Sequence, residues 1–209
     1  MLRKTVRFMC VLLTTLSLGF ALTGAAADFN KAFYAYGKGD YKTAIEEWKI
    51  LANQGDAKSQ EFLAYMYISG QGVPEDLTKA VQWFRRAAEQ GYAPAQLNLG
   101  LMYRRGDGVP QDFTKAAQWY RRAAEQGDVI AQFNLGTMYY EGEGVTRNLV
   151  MAYVVNNLAA AQGHKNARNN RDIIAKNLSR EQIAEGQRMA SEWRVGTPLP
   201  YFKDFKTWP

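Results

Sequence analysis

The sequence is poor in the two residue types that most often perform chemistry in proteins. Its 209 residues include one histidine and one cysteine. A multi-histidine zinc site, a CxxC redox pair or a zinc knuckle needs more of both, so most catalytic inventories are absent. The remaining composition, 47% apolar and 22% charged, is that of a globular protein, neither disordered nor collagen-like. These absences make binding the main question.

A hydrophobic run long enough to span a membrane is also missing. The apolar stretch Phe8–Leu22 has 15 residues, follows three basic residues and precedes a segment of small residues. A spanning helix needs about 20 residues. The pattern predicts a secretory signal peptide over residues 1–27, cleaved after Ala27, and therefore a periplasmic or secreted protein with no membrane span in the mature chain. An uncleaved anchor is the alternative.

Without that segment, the excess of positive charge is small. The full sequence has a formal net charge of +6, but residues 28–209 contain 23 Lys and Arg against 20 Asp and Glu. The basic composition therefore does not indicate a nucleic-acid partner, since that argument needs a basic face on the mature domain. Residues 28–209 also lack cysteine, so even in an oxidising compartment the stability of the fold must come from packing.

The chain repeats itself with a period of 36 residues. Residues 57–92 and 93–128 align without a gap and are identical at 22 of 36 positions, and residues 129–164 are a third, more divergent copy. Residues 28–56 match the pattern in part but lack its longer glycine loop, so they form a degenerate N-terminal repeat. A fold assembled from stacked copies is the consequence.

Each copy is predicted to form two antiparallel helices. In the second copy the apolar spacing places them over roughly Ala93 to Arg105 and Phe113 to Gln126. Small residues such as Gly100 are expected to let the two backbones approach. A side-chain oxygen is available to cap the second helix of every full copy. The capping residues are Asp76, Asp112 and Asn148.

The recurring pattern, A..LG.MY..G.GV..D..KA..WY.RAA.QG, closely resembles the Sel-like repeat family, which is related to tetratricopeptide repeats but has a longer loop between the helices. The resemblance covers about residues 29–164. It implies an all-α fold, a right-handed α-solenoid of helix-turn-helix repeats closed by a C-terminal helical cap. Residues 165–194 are expected to form the capping helices, and the spacing from Ser179 to Gln182 is that of a capping box.

The last segment, residues 195–209, is rich in proline and aromatic residues and has no helical periodicity. We expect it to pack partly back along the solenoid, the alternative being a mobile tail.

Residues that could suggest catalysis all have a structural interpretation. His164 lies at a variable turn, and the acidic pairs recur with the repeat without the order of a calcium loop. The glycine loops lack the spacing of a phosphate-binding loop. Two arginine pairs recur as well, and each is expected to lie on a solvated helix face beside a glutamate. They are Arg85–Arg86 with Glu89 and Arg121–Arg122 with Glu125. No catalytic residue, metal or cofactor is therefore expected.

Positions that vary between the copies are the candidates for binding. In tetratricopeptide-type arrays the first helix of each repeat lines the concave surface, and the resemblance places the inner-face positions there. They are Tyr65, Ile68 and Ser69 in the first full copy, Leu97, Leu101, Arg104 and Arg105 in the second, and Phe133, Thr137, Tyr140 and Glu141 in the third. Tyrosine and arginine are prominent in binding hot spots. The alternative is that exposed positions simply drift.

Two functions follow from these observations. The first is a non-enzymatic adaptor, most simply a monomer, that binds an envelope or secreted protein, or an extended peptide, in its concave face. The second is binding or hydrolysis of β-lactam or peptidoglycan fragments, as suggested for cysteine-rich relatives. Because residues 28–209 have neither cysteine nor an SxxK or GxSxG nucleophile motif, the first function is preferred.

Overall fold

A computed structural model describes residues 27–200, which form ten α-helices and no strand. The signal peptide predicted for residues 1–27 lies outside this range except for Ala27, and so do residues 201–209. The helices are α1 (Phe29–Gly37), α2 (Tyr41–Asn53), α3 (Ala57–Ser69), α4 (Leu77–Glu89), α5 (Ala93–Arg105), α6 (Phe113–Glu125), α7 (Val129–Glu141), α8 (Leu149–Ala161), α9 (Lys165–Ala175) and α10 (Arg180–Glu192). The expected all-α solenoid of helical pairs is confirmed.

The second helix of each full copy begins at a capped residue. Asp76, Asp112 and Asn148 each accept a hydrogen bond from the backbone N–H three residues later, at 2.9 Å. These bonds satisfy N–H groups that the helix itself leaves unpaired. The predicted caps are therefore confirmed.

The loop between the two helices needs glycine because it touches the preceding copy. A Cβ atom at Gly108 would lie 2.4 Å from the carbonyl oxygen of Leu77, and one at Gly144 would lie 2.2 Å from the backbone of Phe113. Both glycines also have a positive φ angle, which L-residues with side chains rarely adopt. Each longer loop is thus shaped to dock on the start of the previous second helix.

Inside the second full copy, a small residue on the first helix faces a large one on the second. A Cβ atom on Gly100 would lie 2.7 Å from the ring of Tyr120, which is fully buried. Leu99 and Ala116 are also fully buried in this contact region. Close approach of the two backbones, predicted from Gly100, is what allows this dense packing.

Neighbouring copies are joined by a recurring pair of glutamines. Gln96 is buried, donates a hydrogen bond to the carbonyl oxygen of Ala88 in the preceding copy, and accepts one from Gln126 at 2.8 Å. The same two bonds recur one period earlier and one period later. They involve Gln60 with Ala52 and Gln90, and Gln132 with Ala124 and Gln162. We call this arrangement the glutamine joint.

The first helical pair closes the N-terminal end of the described array. Its loop is four residues shorter than the later ones, so α1 corresponds to α3 with an offset of 32 residues instead of 36. With this offset, Lys31 takes the place of the fully buried Leu63. Lys31 forms an ion pair with Glu47 on α2. A charged pair therefore stands where an apolar side chain would face a further repeat, as a terminal unit of a solenoid requires.

At the other end, both α9 and α10 pack on α8. The capping box at the start of α10 is present: Ser179 Oγ accepts from the Gln182 N–H, and Gln182 Oε1 accepts from the Ser179 N–H. The chain then returns to α6, where Gly196 and Leu199 donate their N–H groups to Glu125 at 2.7 and 3.0 Å. Leu199 is buried. The described part of the C-terminal segment thus packs back on the solenoid.

The pairing expected between the recurring arginines and Glu89 or Glu125 is wrong, although Arg86 and Arg122 are exposed as expected. Arg85 donates a hydrogen bond to the hydroxyl of Tyr103 in the next copy, at 2.8 Å, and the guanidinium of Arg86 lies 4.6 Å from the ring centre of Trp83. Arg121 with Tyr139 and Arg122 with Trp119 repeat these contacts. Planar guanidinium groups stack on aromatic faces, and Trp83 and Trp119 each offer a ring three residues earlier on the same helix. The hydroxyls of Tyr103 and Tyr139 reach the other two arginines from the next copy. Within residues 27–200 none of these arginines forms an ion pair with Glu89 or Glu125.

Candidate functional site

One surface of the molecule is built from the same repeat position in five helices. We call the surface formed by α1, α3, α5, α7 and α9 the inner face, and this set of five residues the apolar ridge. The ridge residues are Phe33, Tyr65, Leu101, Thr137 and Ile173. Phe33, Tyr65 and Ile173 are 53%, 41% and 50% exposed, and they are three of the seven large apolar side chains exposed within residues 27–200. Exposure concentrated at one position marks a surface available to a partner.

A hollow of about 290 Å³ lies at the N-terminal end of the ridge, between α1 and α3. It is lined by Tyr36, Phe62, Tyr65, Met66, Ile68, Ser69 and Gln71. The ring of Phe62 meets those of Phe33 and Tyr65 edge to face, with centroid distances of 5.8 and 6.4 Å. This end of the inner face is therefore aromatic and held in place by ring contacts.

A second hollow, of about 240 Å³, lies at the other end of the ridge, between α7 and α9. Its lining residues are Thr137, Tyr140, Glu141, Asn170, Ile173 and Ile174. The guanidinium of Arg147 lies 5.8 Å from the ring centre of Tyr140, on the loop side. Two hollows with mixed apolar and polar walls thus bound the ridge.

Residues of α5 lie between the two hollows. Leu97 and Leu101 are half-buried, and Arg104 is 3.6 Å from Glu141 and 3.4 Å from Glu143 of the next copy. Arg105 is exposed and forms no ion pair with any residue of the described range. Of the two arginines predicted for this face, Arg104 therefore forms ion pairs within the molecule, whereas Arg105 has no ion-pair partner among the described residues.

Phe133 lies apart from the other predicted residues. Its ring packs on that of His164, with centroids 4.7 Å apart, and it belongs to a small cluster with Ala159 and Ala167. His164 caps α9, because its Nδ1 atom accepts a hydrogen bond from the Ala167 N–H at 3.1 Å. Both residues thus contribute to the packing of α9, and the interpretation of His164 as a turn residue agrees with this geometry.

A buried acid on the inner face was not anticipated. Glu61 occupies the position of Leu97 and Phe133 and is 7% exposed. Its carboxylate accepts hydrogen bonds from Tyr92 at 3.0 Å and Tyr65 at 3.4 Å, and Asn98 donates to the Tyr65 hydroxyl at 2.8 Å. This network fixes the orientation of Tyr65 on the ridge.

Burial raises the pKa of Glu61, with smaller opposing effects from the two tyrosine hydrogen bonds. Burial, together with the neighbouring carboxylate, raises the pKa of Tyr92 to about 12. Glu61 could have been identified by aligning the three copies, because a carboxylate stands there at the position that Leu97 and Phe133 occupy in the other two.

Phe33 and Ile173 were also missed, for two different reasons. The shorter first loop displaces Phe33 from the 36-residue alignment, and α9 was interpreted only as part of a cap although it continues the row of first helices. Aligning helix ends places Phe33 on the ridge, and extending the 36-residue period by one more copy places Ile173 there.

The described residues hold no arrangement typical of a metal site. Within residues 27–200 no group of three or more His, Cys, Asp or Glu side chains is placed to hold a metal ion. No helix in the same range has the length and apolar character needed to cross a membrane.

Comparison with known families decides what this array is. The family model for the Sel1 repeat matches residues 57–92, 93–128 and 129–164. The chain belongs to the Sel1 repeat family. No curated protein sequence matches it significantly. Sel1-repeat proteins are generally scaffolds for protein–protein interaction, and the fold is a typically non-enzymatic helical scaffold.

Solved structures of Sel1-repeat proteins share this architecture. A Sel1 repeat protein from Oxalobacter formigenes is 29% identical, with a TM-score of 0.69 over 79% of this chain and 70% of that one. A protective antigen present in uropathogenic Escherichia coli strains, which displays an SLR fold, is also 29% identical, with a TM-score of 0.55 over 79% of this chain and 44% of that one. Cysteine rich protein B of Helicobacter pylori is 27% identical, with a TM-score of 0.50 over 62% and 93% of the two chains.

Proposed function

We propose that this Sel1-repeat protein is an exported adaptor without enzymatic activity that binds a segment of an envelope or secreted protein on its inner face. The observation that supports this proposal is the apolar ridge, in which Phe33, Tyr65 and Ile173 remain exposed at one repeat position. Burying such a row against a partner removes apolar surface from water. The core positions of the same helices have no such exposure, so the ridge is not a by-product of poor packing.

Export is the second part of this proposal and rests on the N-terminal sequence. Three basic residues, an apolar stretch and small residues before Asp28 are the features of a cleaved signal. N-terminal sequencing of the exported form is expected to begin at Asp28. An intact N-terminus in a membrane fraction would favour the uncleaved anchor instead.

Site-specific photo-crosslinking in the producing cell tests the binding face. A photoreactive residue replaces Leu101 on the ridge, and a matched variant has it at Gln118, an exposed position of α6 outside the inner face. We expect a discrete crosslinked product from position 101 and none of the same mass from position 118. Equal labelling at both positions, or the same product from position 118 alone, would remove the inner face from the proposal.

Two solution measurements test the remaining features. We expect residues 28–209 to be monomeric by light scattering across a tenfold range of concentration.

We also expect no hydrolysis of a chromogenic β-lactam by the same purified protein. Turnover that persists through repeated purification would replace the adaptor by an enzyme.

A further inference from the structure

The charges of the inner face are not balanced. Its carboxylates are engaged within the molecule, since Glu61 accepts from two tyrosines and Glu141 pairs with Arg104. Arg105 and Lys58 are exposed and have no carboxylate within 4.0 Å among the described residues. Lys58 instead places its ammonium 4.2 Å from the ring centre of Phe29. The unpaired charge on this face is therefore positive.

The position of Arg105 relative to the two hollows is specific. It lies near the end of α5, and α5 separates the hollow between α1 and α3 from the hollow between α7 and α9. A ligand that reaches both hollows must therefore cross α5. Opposite charge on that part of the ligand would be attracted to a guanidinium that has no internal partner.

The length of such a ligand follows from the spacing of helices. The two hollows are three steps apart along the row of first helices, and at roughly 10 Å a step the separation is about 30 Å. An extended chain advances about 3.3 Å per residue, so roughly nine residues bridge the hollows. An α-helical ligand would need about twenty residues for the same distance.

On the basis of the adaptor function proposed above, we infer that the inner face recognises an extended, acidic peptide segment with a large apolar residue at each end. The end residues enter the hollow beside Tyr65 and the hollow beside Ile173, and an aspartate or glutamate between them faces Arg105. The ridge contributes most of the buried apolar area, while the charge fixes the register of the segment.

Selection from a random peptide library tests this assignment. Peptides of about twelve residues, long enough to span both hollows, are panned against residues 28–209, which contain all ten described helices. The Arg105→Glu protein is panned in parallel, and Lys49→Glu, a charge reversal at an exposed position of α2, serves as the matched control. We expect the wild type and the control to enrich two large apolar residues separated by roughly seven to nine positions, with an acidic residue between. The Arg105→Glu protein should enrich a basic residue there.

Binding of a fluorescein-labelled consensus peptide, followed by anisotropy, gives the magnitudes. Arg105→Ala should weaken binding about two- to fivefold, the range of an exposed ion pair, and the loss should shrink at high salt. Tyr65→Ala and Ile173→Ala should each weaken binding about tenfold, as expected for a hot-spot residue. Lys49→Glu should leave the affinity unchanged.

Three outcomes would overturn the inference. They are enrichment of basic peptides by the wild type, enrichment of the same sequences by wild type and Arg105→Glu, and no enrichment over empty beads. The last outcome is separable from failure of the adaptor function, because crosslinking from position 101 to a protein partner would then show that the face binds a folded surface in place of a peptide.

Discussion

At the scale of single residues, adjacent side chains of one helix have opposite roles. Tyr103 is 7% exposed, and its hydroxyl accepts a hydrogen bond from Arg85 of the preceding copy. Arg104, the next residue, lies on the inner face and forms only long ion pairs with Glu141 and Glu143. The Tyr103 side chain is part of the core, whereas the Arg104 side chain is part of the surface of the inner face.

Truncating these two residues should therefore have unequal effects on stability. Tyr103→Ala empties a large buried site and should lower the free energy of unfolding by roughly 3–5 kcal/mol. Arg104→Ala removes partly exposed ion pairs and should change it by less than about 1 kcal/mol. Urea denaturation of both variants measures the difference. Similar losses would mean that the assignment of core and face on α5 is wrong.

The buried carboxyl of Glu61 makes stability depend on pH. Because burial raises its pKa, the folded state binds the proton more tightly than the unfolded state does. The stabilisation is fully present below the unfolded pKa of about 4.3 and is lost as the pH rises through the higher folded value. Wild type should therefore lose stability relative to Glu61→Gln between about pH 4 and neutrality.

Paired denaturant curves at several pH values measure this difference. Glu61→Leu is a useful second variant, because leucine stands at the same position in the next copy, at Leu97. It should lack the same pH dependence. Curves for wild type and Glu61→Gln that stay parallel across this range would rule out a raised pKa at Glu61.

At the scale of helices, the glutamine joint connects copies more specifically than apolar packing alone. Gln132 is fully buried, and its amide donates to the carbonyl oxygen of Ala124, which also accepts from the Gly127 N–H at the end of α6. Gln162 is exposed and holds Gln132 from the other side. The two members of the joint therefore differ in burial.

Alanine substitution should separate the two glutamines. Gln132→Ala removes a buried hydrogen bond to the Ala124 carbonyl oxygen and creates a cavity, so the free energy of unfolding should fall by about 2–3 kcal/mol. Gln162→Ala should lower it by about 0.5–1 kcal/mol. The double variant should lose less than the sum, because the residues are in contact. Additive losses in thermal and urea unfolding would show that the hydrogen bond contributes nothing.

Much of the helical structure could be predicted from the sequence because three copies of the same pattern are present. Caps such as Asp112, close approach at Gly100 and the bounds of α5 all follow from recurring residue types. The contact of Arg85 could not be predicted, because its partner Tyr103 lies in the next copy. The contact of Arg86 could not be predicted either, because Trp83 and Glu89 are both three residues away from it in the sequence.

The candidate site was only partly predictable for a related reason. Tyr65, Leu101 and Thr137 follow from the 36-residue period, whereas Phe33 and Ile173 require knowledge of the loop length and of the role of α9. The hydrogen bonds of Glu61 are invisible in a sequence pattern, because they join residues of different copies.

At the scale of the whole molecule, stability is a sum over similar units and joints. Residues 57–92 and 93–128 present nearly the same surfaces to their neighbours, including Glu89 and Glu125 at equivalent positions. Glu125 holds the returning C-terminal segment, so Glu89 could do the same after removal of one copy.

Excision of residues 93–128 should therefore leave a folded protein. We expect an unchanged helical content per residue by circular dichroism and a cooperative transition. The free energy of unfolding should be smaller by roughly 2–5 kcal/mol, at about 0.05–0.15 kcal/mol for each residue removed. Excision of residues 93–110, which removes α5 and most of its loop without α6, is the control and should abolish cooperative unfolding.

The recurrence of the glutamine joint has a consequence for how such a chain can change over generations. Because each joint uses the same atoms, recombination between copies that share 22 of 36 residues can add or delete one unit without designing a new contact. Each event changes the span of the inner face by one helix spacing and leaves both ends intact. The reach of the protein and the identity of what it holds can therefore evolve as independent properties.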